Sequence, residues 1–295
     1  MSDRSQPIEK VCVIGAGTMG TGIAAQVANA GLDVLLLDVA GTDEKPNKAA
    51  ERGIERIVRS DPPLLMSPEN VGRITAGNIR DDLSKAGNCD WIVEAIIEQL
   101  DVKRDLYRDL VTHLKPGALV SSNTSTIPIS LLMQDMPDRL KQNFCITHFF
   151  NPVRYMRLLE IAKGPETSPE CIERLDRFCD RQLGKGVVHC ADTPGFLANR
   201  VGVFALQAVI NEAINSKLTV EEADAVFGRP MGMPKTGAFG LYDLIGLDLM
   251  ADVVRSMRSI LPPDDAFHPL GEENALINRQ IELGFTGNKG KGGFY

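Results

Sequence analysis

At 295 residues the chain exceeds the size at which a single hydrophobic core keeps growing, so two domains are expected. Apolar residues at 43% and charged residues at 24% exclude an intrinsically disordered chain. The net charge of −7, with the basic residues dispersed, leaves no electrostatic footprint for nucleic acid, and no run of about eighteen apolar residues marks a membrane span.

The polar opening Met1-Ser2-Asp3-Arg4 lacks the apolar stretch of a secretory signal, so a cytoplasmic protein is expected. Cys12, Cys89, Cys145, Cys171, Cys179 and Cys190 show neither C-x-x-C nor Cys/His metal spacing. They read as reduced thiols, with no metal site.

Short apolar runs then alternate with amphipathic segments, the pattern of a parallel sheet with crossover helices. Strands are predicted at Val11 to Ile14, Val34 to Asp38, Trp91 to Ala95, Leu119 to Ser122, Phe144 to His148, Leu158 to Ala162 and Val187 to Cys190. In Asp101 to Leu114, the residues Val102, Leu106, Leu110 and Leu114 recur every fourth position, and Lys115-Pro116-Gly117 stops the helix. Ala191-Asp192-Thr193-Pro194-Gly195 is a turn-rich break, beyond which the texture becomes helical. Helices are predicted over Phe196 to Lys217, after the capping box Thr219-Val220-Glu221-Glu222, over Leu247 to Ile260 and over Asn274 to Leu283. The expected architecture is α/β: a Rossmann-type doubly wound sheet over residues 1–192, then an all-α domain over 193–295.

Gly15-Ala16-Gly17-Thr18-Met19-Gly20 follows the strand Val11 to Ile14 and opens a helix running to about Ala30. In that context the three glycines form a dinucleotide fingerprint: Gly15 for the tight turn, Gly17 for approach of a pyrophosphate, Gly20 for helix–strand packing. Asp38, about twenty residues on, suits the ribose hydroxyls of NAD and would repel the 2′-phosphate of NADP.

A dehydrogenase also needs a base. Of the four histidines, His148 ends an apolar strand, where the sheet faces its ligand crevice. Glu160 is the one carboxylate in the returning strand Leu158 to Ala162, and burial of an unpaired charge is costly, so the two are natural partners across the Asn151-Pro152 turn. Ser121 to Thr126 offers hydroxyls and amides either to a ligand or to a helix near Ile127. Glu94 and Glu98 reach the same crevice edge, with Glu98 equally able to pair with Lys103. Asn199, inside a helix, hints at a non-structural role.

Together, Val13 to Gly20, Ser122-Asn123-Thr124-Ser125, His148-Phe149-Phe150-Asn151-Pro152, Glu160, Asp192 to Phe196 and Asn199-Arg200 resemble the L-3-hydroxyacyl-CoA dehydrogenase family over essentially the whole chain. The resemblance implies His148 as general base, Glu160 as its partner, and Ser125 and Asn199 beside the substrate oxygen. It places Gly15, Gly17, Thr18, Met19, Gly20, Asp38, Glu98, Lys103, Asn123, Ser125 and Asn151 around NAD. It further implies an acyl-CoA substrate. Helical domains that follow Rossmann domains often bury apolar faces against a second copy, so a homodimer through the helical domain is expected. The long segment Met231 to Gly240 looks more like the dehydrogenase part of multifunctional fatty-acid oxidation proteins, which are fused to an enoyl-CoA hydratase. Ser60 to Leu65 departs from the family's lysine-rich stretch, leaving Arg52, Arg56 and Arg59 as candidates for the CoA phosphates. The alternatives are a dehydrogenase of free hydroxy or sugar acids, and a catalytically silent NAD-binding protein.

Overall fold

The computed structural model describes residues 6–193 and 195–295; Pro194 of the turn-rich break and the Met1 to Ser5 opening lie outside the described residues. The chain divides into two compact units, 1–196 and 197–295.

The first unit is built on an eight-stranded sheet of β1 (Lys10–Ile14), β2 (Asp33–Asp38), β3 (Ile74–Asn78), β4 (Trp91–Glu94), β5 (Leu119–Ser122), β6 (Phe144–Phe149), β7 (Leu158–Lys163) and β8 (Gly186–Cys190). Its order is β3-β2-β1-β4-β5-β6-β7-β8. Neighbours run parallel except β6 and β7, which are antiparallel. Strands covered on both faces need apolar residues at nearly every position, which is why β1 and β4 read as continuous runs. The pleat then sorts them by alternation. Val11, Val13, Trp91 and Val93 join one core with α1 (Thr18–Asn29), α2 (Lys48–Arg59) and, further along the sheet, the later helix at Pro169–Arg181. Cys12, Ile14 and Ile92 join the other, with α3 (Leu100–Val111).

Two elements of this unit differ from expectation. The sequence reading contained no strand at Ile74–Asn78, because Ile74 is its one large apolar side chain. The strand forms by pairing with β2, and small size at Gly77 is required there: a Cβ would lie 2.7 Å from Leu37 and 2.8 Å from the Asp82 carboxylate. The buried face of α3 is Lys103, Leu106, Tyr107, Leu110 and Val111, while Val102 is 39% exposed, and the helix ends at Val111 rather than Leu114. Lys103 takes the inner position because two carboxylates await it there.

The second unit contains α5 (Ala198–Asn215), α6 (Val220–Val226), α7 (Phe239–Ile245), α8 (Leu247–Ile260) and α9 (Ala275–Glu282), numbered after α4 (Pro169–Arg181) of the first. Thr219 and Glu222 form the reciprocal capping box, at 3.2 and 2.9 Å. Ile210, Tyr242, Leu247 and Phe267 are fully buried at its centre. The helix α7 went unread in the sequence because its start is fixed from a distance: Asp224, 8% exposed, accepts the backbone N–H groups of Ala238, Phe239 and Gly240 at 2.7–2.9 Å. The Tyr295 hydroxyl donates to the same carboxylate at 3.0 Å, and Asp243 accepts the N–H groups of Phe294 and Tyr295. Two buried carboxylates thus tie the last residues to the helical core. Among the described residues no helix is long and apolar enough to cross a membrane.

Replacing Asp224 strands three N–H groups and a hydroxyl, each unsatisfied donor costing about 1–3 kcal/mol before water re-enters. Asp224→Ala should therefore destabilise the helical unit by about 3 kcal/mol in denaturant titrations, and a loss under about 0.5 kcal/mol would show the cap to be dispensable.

Candidate functional site

The order of the strands reverses between β1 and β4, which opens a crevice at their carboxyl ends. Gly15 lies there with φ +109°, and a Cβ on it would strike the Ala95 carbonyl; a Cβ on Gly20 would strike the Gly15 carbonyl. Both glycines are forced by close approach within the protein. Gly17 differs, since nothing lies within 4 Å of where its Cβ would be, and its φ of −71° is ordinary. It caps α1 without any side-chain bond, and no acidic residue occupies the first turn. A helix N-terminus with free donors beneath an open glycine fits a pyrophosphate. Asp38, at the end of β2, accepts the N–H of Ala16 and, at 2.6 Å, that of Val39. Its carboxylate is half-buried and thereby fixed beside the glycine loop.

Beside Asp38 a cavity of about 420 Å³ is lined by Val39, Ala40, Ile79, Ile96, Val102 and Leu106, among others. Val39 is 61% exposed. Exposed apolar side chains such as Val39, next to the Asp38 carboxylate, suit a flat aromatic base. The sequence assigns none of these residues a binding role; Val102 and Leu106 read there as a core stripe, and Val39 as the continuation of an apolar strand.

A second cavity of about 260 Å³ is bordered by Met19, Ala95, Ile96, Glu98, Lys103, Asn123, Ser125, His148 and Phe149. His148 and Glu160 are direct partners in the β6–β7 ladder, so their side chains leave the sheet on one face. His148 Nδ1 lies 2.7 Å from Glu160 Oε2; the two residues are 7% and 1% exposed. A carboxylate accepts, so Nδ1 carries the hydrogen and the neutral ring keeps its lone pair on Nε2. The rings of Phe150 and Phe196 pack against the imidazole at 4.6 and 5.5 Å between centroids.

Glu94 and Glu98 play unequal parts. Glu94 is fully buried and accepts from Ile96 N (2.8 Å), Lys103 Nζ, Tyr107 OH and Ser122 Oγ (2.6 Å each). Burial and this carboxylate push the Tyr107 phenol well up, so it stays a donor. Lys103, 1% exposed, also bonds Glu98 at 3.2 Å, and Glu98 accepts from the hydroxyls of Thr124 and Thr126 and the N–H of Ser125. Burial raises the Glu98 carboxyl, but the Lys103 charge and these hydroxyls outweigh it, leaving its pKa below the ordinary value. Lys103 therefore spends its charge on two carboxylates that shape the Asn123 to Thr126 loop.

At the end of β5 Ser121 bonds Trp91 and Thr147 beneath the surface and Ser122 holds Glu94, and in the loop Thr124 accepts the N–H of Ile127. Asn123 and Ser125 are the members that border the cavity; Asn123 also accepts the Phe149 N–H at 2.9 Å. Thr18 and Asn151 are exposed, Thr18 on the first turn of α1 and Asn151 on the turn after β6. Asn199 is half-buried in the first turn of α5 of the second unit. Of the arginines on α2, Arg56 donates to the Ala16 carbonyl at 3.3 Å, while Arg52 and Arg59 are exposed.

The glycine loop, Asp38 at the end of β2 and the strand order define an NAD-binding domain of the Rossmann class, and the residues present fit that cofactor. Residues 10–193 match the family model described as 3-hydroxyacyl-CoA dehydrogenase, NAD binding domain, and residues 195–295 match 3-hydroxyacyl-CoA dehydrogenase, C-terminal domain. The chain belongs to the 3-hydroxyacyl-CoA dehydrogenase family. It is 45% identical over 289 residues to a Rickettsia felis protein assigned provisionally as a fatty acid oxidation complex trifunctional enzyme, covering 98% of this chain and 40% of that protein. This chain thus spans about two fifths of the length of such relatives. It is 35% identical to a 3-hydroxybutyryl-CoA dehydrogenase of Bradyrhizobium diazoefficiens, covering 98% of this chain and 95% of that protein. Among solved structures, the (S)-3-hydroxybutyryl-CoA dehydrogenase of Ralstonia eutropha is similar with a TM-score of 0.78 at 26% identity, covering 98% of each chain.

Because Gly17 has open space and unstrained backbone, Gly17→Ala should leave the unliganded protein's stability within about 0.5 kcal/mol. The new methyl occupies the approach to the α1 N-terminus, so the Kd for NAD measured by calorimetry should rise about tenfold or more. Unchanged affinity would place the pyrophosphate elsewhere.

Proposed function

We propose that the chain catalyses NAD-dependent oxidation of a (3S)-3-hydroxyacyl-CoA to the 3-oxoacyl-CoA, with His148 as general base. The observation that carries this reading is His148, paired with buried Glu160 and bordering the same cavity as Met19 of the glycine loop. When bound along the glycine loop, NAD supplies the acceptor for the hydride leaving C3. The chain supplies the rest. Nε2 of His148 takes the proton from the 3-hydroxyl, and Glu160 stabilises the imidazolium while keeping the ring in the useful tautomer. Asn123 and Ser125, held by the Glu98–Lys103–Glu94 chain, orient nicotinamide and substrate oxygen, with Asn151 as a further contact. In the reverse direction protonated His148 returns the proton.

The acyl-CoA class follows from the family and from relatives named for 3-hydroxybutyryl-CoA and fatty acid oxidation. Arg52, Arg56 and Arg59 lie at helical spacing on α2 and suit the CoA phosphates. The trifunctional relatives support a role beside an enoyl-CoA hydratase, fused or associated. Exposed Leu244 and Leu249 of the helical unit suit contact with a second copy, and free cysteines throughout suit a reducing cytoplasm.

The test is oxidation of NADH with acetoacetyl-CoA and longer 3-oxoacyl-CoAs. His148→Ala should lower kcat about 10³-fold and Glu160→Gln somewhat less, with NAD affinity little changed. Turnover confined to acids lacking CoA, or a His148→Ala variant as active as the parent, would overturn the reading. Asp38 should make kcat/KM for NADH exceed that for NADPH by about 10²-fold.

A further inference from the structure

Lys185 lies between α4 and β8, is 2% exposed, and has no ion-pair partner among the described residues. A buried ammonium without a counter-ion is costly unless neutral dipoles surround it. Here its Nζ donates to the carbonyl of Val153 and, at 3.0 Å, to that of Met156, with the Phe149 ring centroid 5.9 Å away. Burial pushes its pKa down to about 8, slightly offset by Cys179. A methionine would fill the same space without that cost, so the retained charge points to the two carbonyls.

Both carbonyls belong to the turn that joins β6 to β7. Within it, the Pro152 carbonyl accepts the N–H groups of Tyr155 and Met156, closing one loop of the turn. The Val153 and Met156 carbonyls are taken up by Lys185. The turn is also where other parts of the site meet. Val153 is fully buried against α1, since a Cβ on Gly22 would come within 2.8 Å of its Cγ2. Arg154 donates to the carbonyls of Pro63 and Leu65 at 2.7 and 2.8 Å, and Tyr155 to that of Pro63 at 2.9 Å. A shift of the turn would move His148 at one end of the hairpin against Glu160 at the other.

We propose that Lys185 is a positioning residue: by binding the Val153 and Met156 carbonyls it locks the β6–β7 turn and so holds His148, at the cavity edge, in register with Glu160. This inference rests on the proposed role of His148. Lys185 touches neither reacting atom, so its effect passes through the hairpin.

The test compares wild type with Lys185→Met and Lys185→Arg in the full chain, following the Nδ1–H resonance of His148 in histidine-labelled protein and steady-state reduction of acetoacetyl-CoA. Lys185→Met should lose or broaden that resonance and lower kcat about thirtyfold, with NAD affinity and substrate KM within about threefold. Lys185→Arg, which keeps donors, should restore the resonance and most of kcat. A folded Lys185→Met with an unchanged resonance and kcat within about threefold overturns the proposal. If Lys185→Met does not fold, Lys185→Arg decides by the same two readouts; if neither folds, the lysine serves the fold and the assignment fails. An inactive wild type would sink the dehydrogenase reading instead, and the resonance would still report the positioning.

Discussion

A carboxylate that is 1% exposed in the middle of an apolar strand must find a donor, because desolvating an unpaired charge costs several kcal/mol. Glu160 finds His148, and the antiparallel ladder sets this pairing by register, which the turn between β6 and β7 has to maintain. One residue of slippage would turn one of the two side chains to the opposite face. The hairpin is therefore as much a part of the site as the two side chains, and the rest of the first unit braces it. β5 lies alongside β6, Asn123 accepts the Phe149 N–H, and the turn beyond is gripped from three sides.

A second carboxylate organises the other wall. Glu94 continues β4 onto the face covered by α3, and its four donors come from the loop after β4, from α3 and from β5. Lys103 then relays that anchoring to Glu98 and the Asn123 to Thr126 loop. Both walls thus rest on rigid strands, with the buried carboxylates Glu94 and Glu160 each held by hydrogen-bonding partners. This is how a sheet can present polar groups at its edge without losing its core.

Much of this was legible in the sequence. β1, β2, β4, β5 and β6 are apolar runs bounded by turns, and the glycine spacing has meaning only after such a run. Glu160 was legible because it interrupts one. What was hidden depended on tertiary neighbours. Ile74–Asn78 has too little apolar content to read as a strand and is recruited by β2. Lys103 displaced Val102 from the inner face of α3 because Glu94 lies beneath it. The apolar cavity beside Asp38 draws on residues from separate elements, and Lys185, between two glycines, reads as an ordinary surface turn. Periodicity reports which face is apolar; it does not report a charge that is wanted inside.

The tethering of Asp38 bears on how coenzyme preference can be altered. Its carboxylate holds the Ala16 amide of the glycine loop as well as the Val39 amide after β2, so the group that would discriminate between coenzymes is also a bracket for the loop that would seat the pyrophosphate. Exchanging it for a neutral or basic residue removes a repulsion and loosens that bracket in the same stroke. A lineage, or a designer, seeking a phosphorylated coenzyme would need a second change to re-anchor Ala16 before the first became useful.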